Sequence, residues 1–180
     1  SDIKAVLKNV SFQGDIKGEA RIGGIVGETD EASVDGADAD VNIIVMDERA
    51  GGIVGYSDGS ISNSRSSGTI VPGDTEVDEV GGIAGKAEEG ILWCVSTMDL
   101  MHSGSYFFDE DIGGIVGAGI SVTLSYALGT VEGKEYVGGI AGSGLVANSF
   151  AMGTVRGGHH VGGLVGYGSV TASYAANAVQ

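Results

Sequence analysis

The sequence predicts one all-β domain: a single-stranded parallel β-helix, or β-solenoid, of six to seven coils of about 24 residues, wound right-handed. Three observations predict it. A glycine pentapeptide recurs at near-constant spacing, a second pattern follows each copy, and alternate positions of that second pattern differ in what they tolerate.

The pentapeptide appears as Gly23-Gly24-Ile25-Val26-Gly27, Gly51-Gly52-Ile53-Val54-Gly55, Gly81-Gly82-Ile83-Ala84-Gly85, Gly113-Gly114-Ile115-Val116-Gly117, Gly138-Gly139-Ile140-Ala141-Gly142 and Gly162-Gly163-Leu164-Val165-Gly166. Subtracting successive start positions gives separations of 28, 30, 32, 25 and 24. A period that settles near 24 and departs only upward describes a fixed unit with insertions. The glycines are read as structural, giving positive φ at corners and close backbone approach between walls.

The second pattern is clearest at Val146 to Val155, repeated at Val122 to Val131 and Val170 to Val179, with looser copies from Ile91, Ile61, Val34 and Leu7. Alternation of this kind is a strand signal, and the segments are too short and glycine-rich for helices. Ser149, Ala151 and Val155 share one parity and stay small or apolar in every copy. Their neighbours form a column of Ser11, Asp38, Arg65, Val95, Tyr126, Phe150 and Tyr174. A column that accepts Asp and Arg faces water, so the small set faces inward. Each coil then holds two or three short strands, stacked in parallel at about 4.8 Å into a rod roughly 30 Å long. The longest spacers, Glu28 to Asp40, Asp74 to Glu79 and Asp109 to Asp111, are acidic and are expected to bulge from the corners of the early coils. Cys94 occupies the inward serine column and reads as a buried filler. As the only cysteine it forms no internal disulfide.

Composition narrows the function. Glycine is abundant, 34 of 180 residues, yet has no Gly-X-Y period, and a 42% apolar content separates the chain from a disordered glycine-rich linker. The formal charge of −15 repels a phosphate backbone, and Lys4, Lys8, Lys17 and Arg21 are interleaved with acids, so no nucleic-acid partner is expected. No apolar run approaches 18 residues, so no membrane insertion is expected. The opening Ser1-Asp2-Ile3 reads as the start of a piece of a longer precursor. Leu7 begins mid-unit and residues 170–180 look like an ordinary coil without a polar cap, which predicts continuation of the solenoid or end-to-end association.

These units resemble the GLUG-motif repeat, named for a Gly-Leu-x-Gly core. The resemblance rests on Gly163-Leu164-Val165-Gly166, on Gly139-Ile140-Ala141-Gly142 with Ile for Leu, and on the Asn-Ser-Phe-Ala-x-Gly stretch from Asn148 to Gly153. It extends over nearly the whole chain, with the coils before Gly81 more divergent. It implies an extracellular or cell-surface bacterial location and a modular role, either adhesin-like or as the non-catalytic repeat region of an immunoglobulin A peptidase. The partners it implies are other domains of the same precursor, with a host protein or carbohydrate as a further class. The motif is structural and brings no catalytic residue or ligand with it.

No His-Glu-x-x-His is present, and no Gly-Lys-Ser/Thr follows any glycine run. His159-His160, adjacent on an extended chain, would point to opposite sides, and His102 stands alone in the Met101 to Phe108 insertion. Asp35, Asp38 and Asp40 are weak calcium candidates, as are Asp109-Glu110-Asp111, but neither set has EF-hand spacing and solvated acidic loops are the preferred reading. No cofactor is therefore expected beyond loosely bound calcium. Asp38 and Arg65, one coil apart in one column, could serve a polysaccharide lyase or hydrolase or form a surface salt bridge. An ice-binding face is weak, because Thr69, Thr130 and Thr154 are interrupted by Asp99 and Ala178. Tyr126, Phe150 and Tyr174, each 24 apart, should stack as an exposed aromatic ladder that either binds a partner or only steadies the coils. The leading expectation is a non-enzymatic scaffold or spacer, with a carbohydrate-active enzyme as the alternative.

Overall fold

A computed structural model of the chain describes residues 5–103 and 106–180; Lys4, the opening tripeptide, and residues 104–105 of the Met101–Phe108 insertion lie outside that range. The described residues form strands and turns with no helix, and every strand pairing is parallel. The strands build three sheets that run along the stack as three walls. Wall 1 has six strands that end on the first pentapeptide glycine, such as Glu48–Gly51, Glu110–Gly113 and His159–Gly162. Wall 2 follows the Gly-Gly corner, with Val54–Ser57 and Ile61–Ser62 in one coil and the continuous strand Ala141–Ala147 in a later one. Wall 3 carries the second pattern, as in Asp38–Val45, Arg65–Pro72 and Phe150–Arg156.

The register agrees with the repeat alignment along the outward column. Ser11 pairs with Asp38, Asp38 with Arg65, Arg65 with Val95, Val95 with Tyr126, Tyr126 with Phe150 and Phe150 with Tyr174. The inward residues Ile43, Ile70, Leu100, Val131 and Val155 stack in a fully buried column, as do Val34, Ile61, Ile91, Val122 and Val146. Each such side chain contributes about 1.5–3 kcal/mol by leaving water. The interior is therefore a set of short aliphatic columns, which is why small branched residues dominate the composition.

The pentapeptide glycines serve space rather than φ. A Cβ on Gly51 would lie 2.1 Å from the Val54 carbonyl oxygen, and one on Gly52 would lie 2.3 Å from the Gly82 carbonyl oxygen of the next coil. None of the eighteen has a positive φ, which corrects the expectation that they turn the corners. Non-glycine residues do most of that work. Between walls 2 and 3 the left-handed residue is Asn9, Gly36, Asn63, Trp93, Leu124, Asn148 or Ala172 in successive coils. Within wall 1 it is Arg21, Arg49, Glu79, Asp111, Tyr136 or His160.

Just past the first of these corners, the inward serines sew the coils together. Ser125 Oγ donates to the Thr123 carbonyl at 2.9 Å and accepts from the Cys94 amide of the preceding coil at 3.1 Å. Ser149 and Ser173 repeat the arrangement, so each of these three hydroxyls has both a donor and an acceptor.

The insertions fall in two places. From wall 2 to wall 3 the separation is nine residues in every coil (Val34 to Ile43, Ile61 to Ile70, Ile91 to Leu100, Val122 to Val131, Val146 to Val155). Extra residues enter only within wall 2 and at the corner from wall 3 back to wall 1. The acidic stretch Glu28 to Asp40 bulges only over residues 29–32, because Ser33–Asp35 and Asp38–Val45 are strands of the coil. Likewise Glu110–Gly113 lies within wall 1, and the longest excursion instead precedes it, after Leu100. The last described coil also carries a polar side chain over its glycine corner, where Asn177 Nδ2 donates to the Gly163 carbonyl at 2.6 Å. Its inward Val170 and Val179 remain 45% and 49% exposed.

Candidate functional site

Wall 3 presents the aromatic column outward, as the alternation requires. The Tyr126 and Phe150 ring centroids are 4.5 Å apart with planes inclined by 31°, and Phe150 and Tyr174 are 5.7 Å apart at 28°. Tyr126 is 38% and Tyr174 58% exposed. Two residues further along the same strands, Leu128 and Met152 are also exposed, and Trp93 and Leu124 flank the strip at the corner. In the first three coils the same two columns hold Ser11 and Gln13, Asp38 and Asp40, Arg65 and Ser67. Wall 3 is therefore polar over its early coils and apolar over its late ones. With planes inclined by about 30°, Phe150 is flanked by a ring on each side, while Tyr126 and Tyr174 meet a ring on one side only. A sugar needs a free ring face, whereas an apolar protein surface can pack on edges, Leu128 and Met152.

The calcium candidates do not converge. Asp35 sits on wall 2 and accepts from Asn63 Nδ2 at 2.7 Å and Ser62 Oγ at 3.0 Å, with Lys8 Nζ at 3.3 Å. The bonds from Asn63, Ser62 and Lys8 hold its carboxyl below the ordinary range. Asp40 lies on wall 3 and accepts from Gln13 at 2.9 Å and Ser67 at 3.2 Å, while Asp38 stands between Ser11 and Arg65. Asp109 pairs with Lys134 at 3.2 Å. Among the described residues no three side chains of His, Cys, Asp or Glu are grouped to hold a metal ion.

Asp38 and Arg65 are register neighbours, yet they do not form the salt bridge weighed for them. The histidine pair departs from extended geometry. His160 is left-handed at φ 50°, its Nδ1 lies 3.3 Å from Glu135 Oε1, and its ring stacks on Tyr136 at 4.8 Å. Cys94 is buried as expected, with its Sγ 3.5 Å from the Leu92 carbonyl, and burial pushes the thiol up to about 11.

One polar cluster was not anticipated. His102 is not alone: its Nδ1 is 2.6 Å from Glu132 Oε2, and its backbone amide reaches the same oxygen at 3.4 Å. Arg156 Nη1 donates to Glu132 Oε1 at 2.6 Å, and Arg156 Nε donates to Gln180 Oε1 at 2.9 Å. The Glu132 side chain is only 11% exposed. Burial would raise its carboxyl, but the bonds from His102 and Arg156 outweigh it and hold the group below the ordinary glutamate value. Glu132, Arg156 and Gln180 are spaced by one 24-residue repeat, so the column was present in the sequence. His102 lies on an insertion and carried no such signal. The cluster lines a groove of about 400 Å3 at the corner from wall 3 to wall 1, together with Phe107, Lys134 and three glycines.

Residues 47–71 match the family model of the GLUG motif. That segment is one turn of the solenoid, running from Glu48–Gly51 through Val54–Ser57 and Ile61–Ser62 into Arg65–Pro72. The match falls on a coil before Gly81, where the copies of the motif are more divergent. No curated protein and no solved structure matches the chain.

Proposed function

We propose that this β-solenoid is a non-enzymatic display module of a secreted or cell-surface bacterial protein, and that the apolar half of wall 3 is its contact face. The observation that carries the reading is the change in character along wall 3. Asp, Arg and Gln give way to Tyr126, Leu128, Phe150, Met152 and Tyr174 in the same outward columns. A rod needs no exposed Met or Leu there to fold, whereas exposed apolar strips of this kind are a property of binding surfaces. Because Leu128 and Met152 extend the apolar strip beyond the rings, the partner is a protein surface, either another domain of the same precursor or a host protein. The repeat motif itself supports the modular role. An adhesin-like scaffold is the form of this proposal, with carbohydrate-active catalysis as the alternative.

Adhesion of beads coated with the chain to epithelial or extracellular-matrix surfaces tests it, alongside the triple variant Tyr126→Ser, Phe150→Ser, Tyr174→Ser. Wild-type beads should adhere, and the variant, checked for retained β signal by circular dichroism, should lose most of that adhesion. Adhesion equal to that of bare beads, or unaffected by the triple variant, would contradict the contact face. Turnover of a polysaccharide by the purified chain would favour the enzyme.

A further inference from the structure

The geometry points to the groove at the corner from wall 3 to wall 1 as a binding site for a single carboxylated sugar ring, a hexuronate. It is separate from the aromatic strip and independent of it. At about 400 Å3 the groove falls within the range of small-molecule sites.

Its surfaces differ in chemistry. The floor is bare backbone at Gly133, Gly157 and Gly158. The first two are glycine because a Cβ would run into core side chains, 2.7 Å from Ile112 on Gly133 and 2.6 Å from Val161 on Gly157. Phe107 forms a wall, 37% exposed, with His102 stacked on it at 5.2 Å and 20°. An exposed aromatic ring beside polar groups suits the C–H face of a sugar.

The charge arrangement selects the acid. Arg156 and Glu132 are partners, but they are unequally presented: the guanidinium side chain is 48% exposed and the carboxylate 11%. Both Glu132 oxygens are engaged by Arg156 and His102. Arg156 has one Nη and Nε engaged, which leaves its other Nη as a free donor pair for a carboxylate. Opposite a carboxylate the His102 Nδ1 donates, so Nε2 remains for a hydrogen bond with a sugar hydroxyl. Lys134 adds little attraction, since Glu76 and Asp109 already engage it. Those acids, and the net charge of −15, disfavour a ligand with several negative charges. One carboxylate, one hydroxyl and one apolar ring face make up the complement.

The test is an amide chemical-shift titration of the chain with sodium glucuronate, with glucose as the neutral control and a glucuronate-terminated oligosaccharide in parallel. Glucuronate should shift the amides of Gly133, Gly157 and Gly158 saturably, and glucose should not. Tighter binding of the oligosaccharide than of the free acid would identify a polymer end as the source; the reverse would identify the free acid. Arg156→Gln should weaken binding about tenfold or more, the scale of a charge-assisted hydrogen bond. Phe107→Ala, which leaves the Glu132 cluster intact, should weaken it too. Equal shifts with glucose, no saturable shift with any probe, or binding unaffected by both variants would overturn the site.

Discussion

Leu124 and Trp93 hold left-handed backbone, at φ 51° and 55°, at a corner where neighbouring coils use Asn63 and Asn148. A branched or bulky side chain at positive φ carries a steric cost of roughly 1–2 kcal/mol that asparagine largely avoids. These corners were illegible in the sequence because the side chain points away from the stack, which leaves residue identity free while φ is fixed by the neighbouring coils. The inward column shows the reverse. Ser125 and Ser149 could be read as small and inward, but not as hydrogen-bonded links, since alanine at Ala37 fills the same column. Leu124→Asn should therefore stabilise the chain by about 1 kcal/mol in urea denaturation, because Leu124 is 36% exposed and gives up little packing. A loss of stability would show that the corner is held by Leu124 packing instead.

Wall 1 stacks like charges along its strands. Asp78 is in register with Glu48 and Glu110 with Glu135, and the Glu110 amide donates to Asp78 Oδ1 at 3.2 Å. Burial, and then neighbouring carboxylates, raise the carboxyls of Asp78 and Glu110, and burial raises that of Asp111 as well. A raised carboxyl binds its proton more tightly in the folded chain than in the unfolded one. Ionising it is therefore destabilising, and stability returns as pH falls through the raised values. Glu132 and Asp35 act oppositely, since their lowered carboxyls lose their contribution only at lower pH. Calorimetry should show the melting temperature rising from pH 7 to about 5 and falling at stronger acid. Glu110→Gln should raise the pH 7 value and flatten the rise; a melting temperature that falls steadily from pH 7 would contradict this account. The acids of wall 1 are visible in the sequence as a charge count, but their stacking is not, because a spacer such as Asp109 to Asp111 reads as a bulge although Glu110 lies in the wall. Composition alone does not say which residues of an insertion remain in the wall.

Taken as a whole, the molecule is a one-dimensional stack in which the strands of each coil pair only with those of its neighbours. That architecture was legible because the repeat fixes register: Tyr126, Phe150 and Tyr174 fell in one column by spacing alone, and so did Glu132, Arg156 and Gln180. The groove was not legible, since it also needs His102 and Phe107 from an insertion outside the period. The constant nine-residue step between walls 2 and 3 implies that whole periods are interchangeable while fractions are not. Excising residues 139–162 joins Gly138 to Gly163 and removes one 24-residue period; excising 139–150 removes half of one. Circular dichroism with thermal melts of both variants tests the stacking most directly. The full-period excision should keep its β signal and melt in one cooperative transition, somewhat below wild type, while the half-period excision should be unfolded. Equal loss of structure in both would contradict the stacked register.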